Sequence, residues 1–162
     1  MFTLHNGDNL SFLRSLESDM IDLIYIDPPY FSQRNYGDFD DRWKSIQHYL
    51  DFMVERLKEM HRVLKSTGSI YVHLDWHAVH YVKVEMDKIF NFQNEIIWSF
   101  GLGGSSPKRW SRKHNTILFY TKSNDYTFKP IMTPAKSNRL AGKNKKMDSV
   151  WSIPSINNMA KE

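Results

Sequence analysis

The stretch Ile21-Asp22-Leu23-Ile24-Tyr25-Ile26-Asp27-Pro28-Pro29-Tyr30 governs how the rest of the 162-residue chain is read. Its first six residues form an apolar, β-branched run that stops at two prolines, the pattern of a strand buried in a sheet. Asp27 precedes a proline, so its backbone is pushed into the extended region. Pro28 and Pro29 fix φ and bring no N–H groups, which leaves the Asp27 and Pro28 carbonyls short of local donors. The expected result is a rigid corner that presents a carboxylate and carbonyl oxygens, with the Tyr30 ring just beyond.

Outward from this run, residues 2–5 (FTLH) read as a short strand and Asn6-Gly7-Asp8 as a turn. Residues 9–17 carry Leu10, Leu13 and Leu16 on one helical face. Residues 31–43 are polar and aromatic and read as a mobile loop holding Arg34, Tyr36, Phe39, Arg42 and Trp43. Residues 45–65 give the longest helical pattern, with Tyr49, Phe52, Met53, Leu57, Met60 and Leu64 on one side and Thr67-Gly68 as the stop. Strands are expected at 69–76, 95–100 and 116–121, and a helix at 77–90. The glycine-rich 101–107 reads as a hinge or flexible turn, and periodicity fades after Lys129.

Strands alternating with helices predict a doubly wound α/β layer of parallel strands. Ligands of such sheets bind at the carboxyl ends of the strands. Asp27, the residues after Leu74, and Asn6 to Asp8 should therefore converge on one crevice. Residues 1–128 are expected to form the catalytic region and 129–162 a basic, loop-rich region serving as a target-recognition segment and truncated linker.

The corner suits one chemical task. The exocyclic amine of adenine or cytosine is a poor nucleophile because its lone pair is conjugated into the ring. A carboxylate and a carbonyl that accept its two N–H groups would draw the nitrogen toward a tetrahedral geometry and stabilise the positive charge of its attack on a methyl sulfonium. An aromatic ring can stack on a base rotated out of a duplex. No covalent intermediate is needed, which agrees with a chain that has no cysteine. Without cysteine there are also no disulfides, no thiolate-zinc sites and no nucleophile for methylating cytosine at ring carbon 5.

The runs DLIYIDPPY, GSIYVHLDWH, EIIWSF and RKHNTILFYTKS resemble the N6-adenine and N4-cytosine DNA methyltransferases. They are most similar to the permuted β class, whose catalytic motif precedes the cofactor motif. The likeness runs from about Leu4 to Pro154. It implies a Rossmann-like S-adenosylmethionine-dependent methyltransferase fold, with Asp27, Pro28, Pro29 and Tyr30 at the amine-binding corner and double-stranded DNA as partner. Within that family a leading Asp is commoner among adenine enzymes, so adenine N6 is favoured, in the setting of a restriction-modification system. Asn6, Gly7 and Asp8, together with Asp27, resemble a minor cofactor-lining segment. The family continues into a Lys-Pro helix and a strand with a Gly-rich loop that forms the main cofactor site. This chain resembles the N-terminal catalytic part only and lacks those cofactor-loop strands. A second polypeptide carrying the Gly-rich motif, or a homo-oligomer, is the expected partner. A non-catalytic remnant that binds DNA, or an RNA amino-methyltransferase, is the alternative reading.

Charge mapping points to the same partner. Between Ser105 and Lys146 the chain carries eleven Lys or Arg against Asp125 alone, a local net charge of +10, while the remainder carries −6. Such a block beside an acidic body suggests a face for a polyanion. Lys108, Arg109, Arg112 and Lys113 around Trp110 suit phosphate contacts with one stacking group, Arg34 follows the corner, and Lys136 to Lys146 would extend the surface. His73, Asp75, His77 and His80 match no standard zinc spacing, so no metal is expected. Asp75 and Trp76 read as the rim of the crevice with the histidines as polar neighbours. The N-terminus has no signal-peptide pattern and no apolar window spans a membrane, so a cytoplasmic protein is expected.

Overall fold

A computed structural model describes residues 2–101, 106–135, 139 and 141–154. Helix α1 (Asn9–Ser15) begins where the Asp8 carboxylate accepts from the N–H groups of Leu10 and Ser11, at 2.9 and 3.2 Å. Those donors have no helical carbonyl within reach, which is what an N-cap supplies. Strand β1 (Ile21–Ile26) has the bounds that the apolar run predicts. Helix α2 (Ile46–Val63) is capped by Ser45, whose Oγ accepts from the His48 N–H at 3.1 Å. Its Tyr49, Met53, Leu57 and Met60 form the expected buried stripe.

The helix ends at Val63, short of Thr67-Gly68, and passes directly into β2 (Leu64–Leu74). Gly68 is a close approach inside that strand and not a helix stop. A Cβ there would lie 2.8 Å from the Leu64 side chain, and the register with β1 shifts between Leu64 and Ser69. Helix α3 (Val79–Met86), strands β3 (Asn91–Ser99) and β4 (His114–Thr121), a hairpin of β5 (Met132–Pro134) with β6 (Asn144–Lys146), and β7 (Val150–Ser152) complete the order. Residues 2–5 form no strand: Phe2 and Leu4 are exposed, and a lone extended run without a partner has nothing to satisfy its backbone. Part of the glycine-rich turn (residues 102–105) and part of the Lys136–Lys146 stretch (136–138 and 140) lie outside the described residues.

The main sheet has the order β1-β2-β4-β3-β7. Strand β1 pairs with β2 in parallel and β3 with β7 in parallel, but β4 runs antiparallel to both β2 and β3. The sheet is thus mixed and not wholly parallel. Among the described residues no helix separates β3 from β4, and the two strands pair antiparallel.

Helices α1 to α3 contribute to the larger core, over the sheet face that carries Ile70, Val72, Leu74, Leu118 and Tyr120, all fully buried. The opposite face holds a smaller cluster of Ile96, Ile117 and Phe119, edged by Tyr71, Trp98, Tyr126 and Trp151. Strand β1 lies at the sheet edge among the described residues. Its Ile24 and Ile26 pack into the larger core, while Leu23 and Tyr25 stay 59% and 57% exposed, so the run is not covered on both sides.

Leu57 tests the helix-to-sheet core. Leu57→Ala removes a fully buried side chain and should lower stability by about 3 kcal/mol, read as a reduced urea midpoint at unchanged m-value. A loss below about 1 kcal/mol would show that α2 is not seated as described.

Candidate active site

Asp27 stands one residue past the end of β1, where Ile26 pairs with Val72 of the neighbouring strand β2. Its side chain is 58% exposed, and its Oδ1 accepts the hydroxyl of Tyr30. Burial, and then that hydrogen bond, push the Tyr30 hydroxyl far above its ordinary range, so it remains a protonated donor. The Pro29 carbonyl accepts from the hydroxyl of the fully buried Tyr49 at 2.7 Å, which ties the corner to the core stripe of α2. Among the described residues nothing donates to Asp27 Oδ2 or to the Pro28 carbonyl. The corner therefore keeps two unbonded acceptors among the described residues, of which the Pro28 carbonyl is one that the proline content predicts.

The loop after the corner is pinned and not free. Asp41 is 1% exposed and its carboxylate accepts from the backbone N–H groups of Tyr30, Phe31 and Ser32, at 3.3, 3.1 and 2.7 Å. The indole Nε1–H of Trp43 adds a fourth bond at 2.8 Å. Successive N–H groups turned to one side form a nest for an anion, and here the chain supplies its own anion. Phe31 and Gln33 hold left-handed φ values of 60° and 59°, which cost side-chain-bearing residues free energy unless the surroundings fix them. Burial alone would raise the Asp41 carboxyl, but the bonds from Ser32, Trp43 and Phe31 outweigh it and hold the group below the ordinary 3.8. Farther out, Asn35 and Asp40 form a bridge, and Tyr36 and Phe39 stack at 4.9 Å on an exposed tip.

Behind the corner lies His73 on β2, 6% exposed. Its Nδ1 is 3.4 Å from both the Tyr30 hydroxyl and Asp27 Oδ1, and its Nε2 is 3.0 Å from the Asn115 side-chain amide nitrogen on β4. Burial lowers its basicity while the charges of Asp27 and Asp75 pull the other way, and the net direction is down. The sequence reading left His73 among polar neighbours and did not single out Asn115 or Asp41. Strand alternation was the available signal, since His73 falls on the face opposite Val72 and Leu74.

Asp75 turns the chain into α3: its carboxylate accepts the His77 N–H at 2.8 Å and lies 2.7 Å from His77 Nδ1. Among the described residues no cluster of His, Asp and Glu has metal-holding geometry. Trp76 carries the guanidinium of Arg112 at 3.5 Å from its ring centroid. That contact sets the basic segment at the carboxyl end of β2, because β4 enters the sheet there through His114 and Thr116. Lys108, Arg109 and Trp110 are exposed along the same connection, and Lys113 Nζ donates to the Gly101 carbonyl at 3.0 Å. Arg34 is exposed on the pinned loop.

Asn6 and Gly7 are exposed ahead of α1. Asp8 is committed to its cap and to Arg56, 2.7 Å away. Arg56, Asn9, Tyr25, Asp27, Pro28 and Phe52 are among the residues lining a cavity of about 340 Å³. The N-terminal segment thus reaches the corner through Asn9 and Arg56.

The model of an N6/N4 DNA methylase family matches residues 21–162. DNA adenine methyltransferase YhdJ of Escherichia coli (strain K12) is 30% identical over 139 residues, covering 83% of this chain and 47% of that protein. Type II methyltransferase M.HpaI of Haemophilus parainfluenzae is 37% identical over 112 residues, 68% of this chain and 35% of its own. TTHA0409 of Thermus thermophilus, described as a DNA modification methylase and solved with S-adenosyl-L-methionine, aligns with a TM-score of 0.65 at 19% identity. That alignment covers 93% of this chain and 66% of that one and shows a shared fold. The chain spans about half or less of the length of the two curated relatives.

Asp41→Asn swaps an acceptor oxygen for an amide that faces the same donors, and should cost about 2–3 kcal/mol at pH 7. A carboxyl whose folded pKa is depressed stabilises above its unfolded value and loses that contribution as pH falls through the folded one. The gap in Tm between wild type and variant should therefore narrow below about pH 4, measured by thermal melts across pH. A gap that stays constant to about pH 3 would mean that Asp41 is not the bound anion.

Proposed function

The chain belongs to the N6/N4 DNA methylase family, and on that premise we propose that it carries the catalytic corner of a DNA amino-methyltransferase. The reaction transfers a methyl group from S-adenosylmethionine to the exocyclic amine of a base rotated out of double-stranded DNA, adenine N6 in preference to cytosine N4. The observation that carries this reading is the corner itself: an exposed Asp27 with one oxygen taken by Tyr30 and the other unbonded, beside an unbonded Pro28 carbonyl. An amine has two N–H groups, and the corner has two acceptors for them. Their pull draws the nitrogen lone pair out of conjugation with the base. A bound methyl donor would supply an electrophilic carbon whose bonding pair would pass to sulfur as the amine nitrogen bonds to it. Asp27 would face the positive charge on that nitrogen, which would then release one N–H proton to solvent.

Adenine is favoured by the leading Asp of the tetrapeptide and by the likeness to an enzyme named for adenine. A restriction-modification setting is supported by the likeness to a Type II methyltransferase. S-adenosylmethionine supplies the electrophilic methyl group when bound. The cavity beside the corner fits part of such a donor, with aromatic and polar walls from Tyr25, Phe52, Asn9 and Asp27 at the carboxyl end of a strand. The Gly-rich remainder of the site would come from a further segment, a second polypeptide or a second copy. It would lie beside the β1 edge, where Leu23 and Tyr25 are exposed. Lys108, Arg109, Arg112 and Lys113, with Arg34, would contact phosphates from the same rim as the corner. No helix of the described residues is long and apolar enough to cross a membrane.

Asp27→Ala should lower methyl incorporation into DNA by at least about 10²-fold while DNA affinity changes less than about twofold, because it deletes a contact made to the reacting amine. Unchanged incorporation would end the assignment. Mass analysis of nucleosides from methylated DNA then separates N6-methyladenine from N4-methylcytosine, and the latter product would overturn the base preference. Neutralising Lys108, Arg109, Arg112 and Lys113 together should flatten the plot of log affinity against log salt by up to ~3.6.

A further inference from the structure

We infer that His73, oriented by Asn115, is a positioning residue for methyl transfer: its Nδ1–H holds Asp27 and Tyr30 as one unit. The inference rests on the reading of the corner above. His73 is a buried imidazole whose two nitrogens both face polar atoms, on strands that also build the core. With the Asn115 amide nitrogen 3.0 Å from Nε2, that nitrogen accepts, and the single proton of a neutral ring sits on Nδ1. Nδ1 lies 3.4 Å from Tyr30 Oη and 3.4 Å from Asp27 Oδ1, so its N–H reaches toward both. The Tyr30 hydroxyl donates to the same Oδ1. The Tyr30 hydrogen bond fixes the Asp27 side chain, the His73 ring backs that pair with Nδ1 3.4 Å from each oxygen, and Oδ2 is left for the amine.

Four elements surround the ring. The corner supplies Asp27 and Tyr30, whose ring meets His73 edge-on at 5.9 Å. Strand β3 supplies Trp98 at 5.4 Å, β4 supplies Asn115, and the end of β2 supplies the charge of Asp75. Burial favours the neutral ring, as the lowered basicity of His73 reflects. A proton added at Nε2 would point at the amide hydrogens of Asn115. Neutrality and tautomer are therefore set by the same partner, and that partner lies on the antiparallel strand.

The test has a spectroscopic and a kinetic arm. In the protein labelled with 15N-histidine, the His73 ring should show a protonated Nδ1 and a lone-pair Nε2 at neutral pH, and Asn115→Asp should convert it to a ring protonated at Nε2. A wild-type ring carrying its proton on Nε2, or an imidazolium, would overturn the inference whatever the activity. Kinetically, His73→Phe should lower kcat by about 10²-fold with KM for DNA and donor within about twofold. His73→Asn, which can place an N–H near the position of Nδ1, should recover at least ~10-fold of that loss. Equal loss in both variants, or a loss confined to KM, would refute a positioning role. Failure of the corner reading looks different: with the Gly-rich remainder of the site supplied, Asp27→Ala would retain transfer, while the His73 tautomer stayed as stated.

Discussion

Four donors converging on the buried Asp41 carboxylate fix the loop that follows the first strand and with it the corner. A charge taken out of water is expensive unless hydrogen bonds replace its hydration, and here three backbone N–H groups and one indole do so. In return, residues that would resist left-handed backbone are held in it, and Tyr30 is aimed back at Asp27. The bond from Tyr49 to the Pro29 carbonyl anchors the same turn to the stripe of α2. The corner is thus preorganised by a core helix and a buried anion, which is how a site keeps its geometry without rearranging during reaction.

Strand β2 serves two layers at once. Ile70, Val72 and Leu74 seal the larger core, and the alternate residue His73 stands behind the corner on the other face. The reversed strand β4 then contributes Asn115 next to His73 and brings the basic connection to the carboxyl end of β2, the end of the sheet at which Asp27 stands. Its Arg112 is set there by stacking on Trp76.

Much of this was legible in the residues. The β1 run, the two prolines, the α2 stripe and the corner with Asp27 and Tyr30 depend on contacts within a few residues, so local pattern reveals them. The chain's likeness to N6/N4 DNA methylases was legible in the same runs. Other features were misread for identifiable reasons. Gly68 looked like a helix stop because glycine marks both a terminus and a close backbone approach, and only the seat of Leu64 distinguishes them. The loop after Tyr30 looked mobile because its polar residues have no periodicity, whereas its order comes from one carboxylate eleven residues beyond Tyr30.

By itself, then, the sequence determined the strand, the proline corner and the amphipathic helix, since these follow from backbone sterics and apolar spacing. Only the tertiary structure decided the direction of β4, the company of His73 and the burial of Asp41. Each of these rests on partners far apart in the chain, such as His73 with Asn115, 42 residues away. No local periodicity encodes a hydrogen bond whose two ends meet only after the sheet has formed.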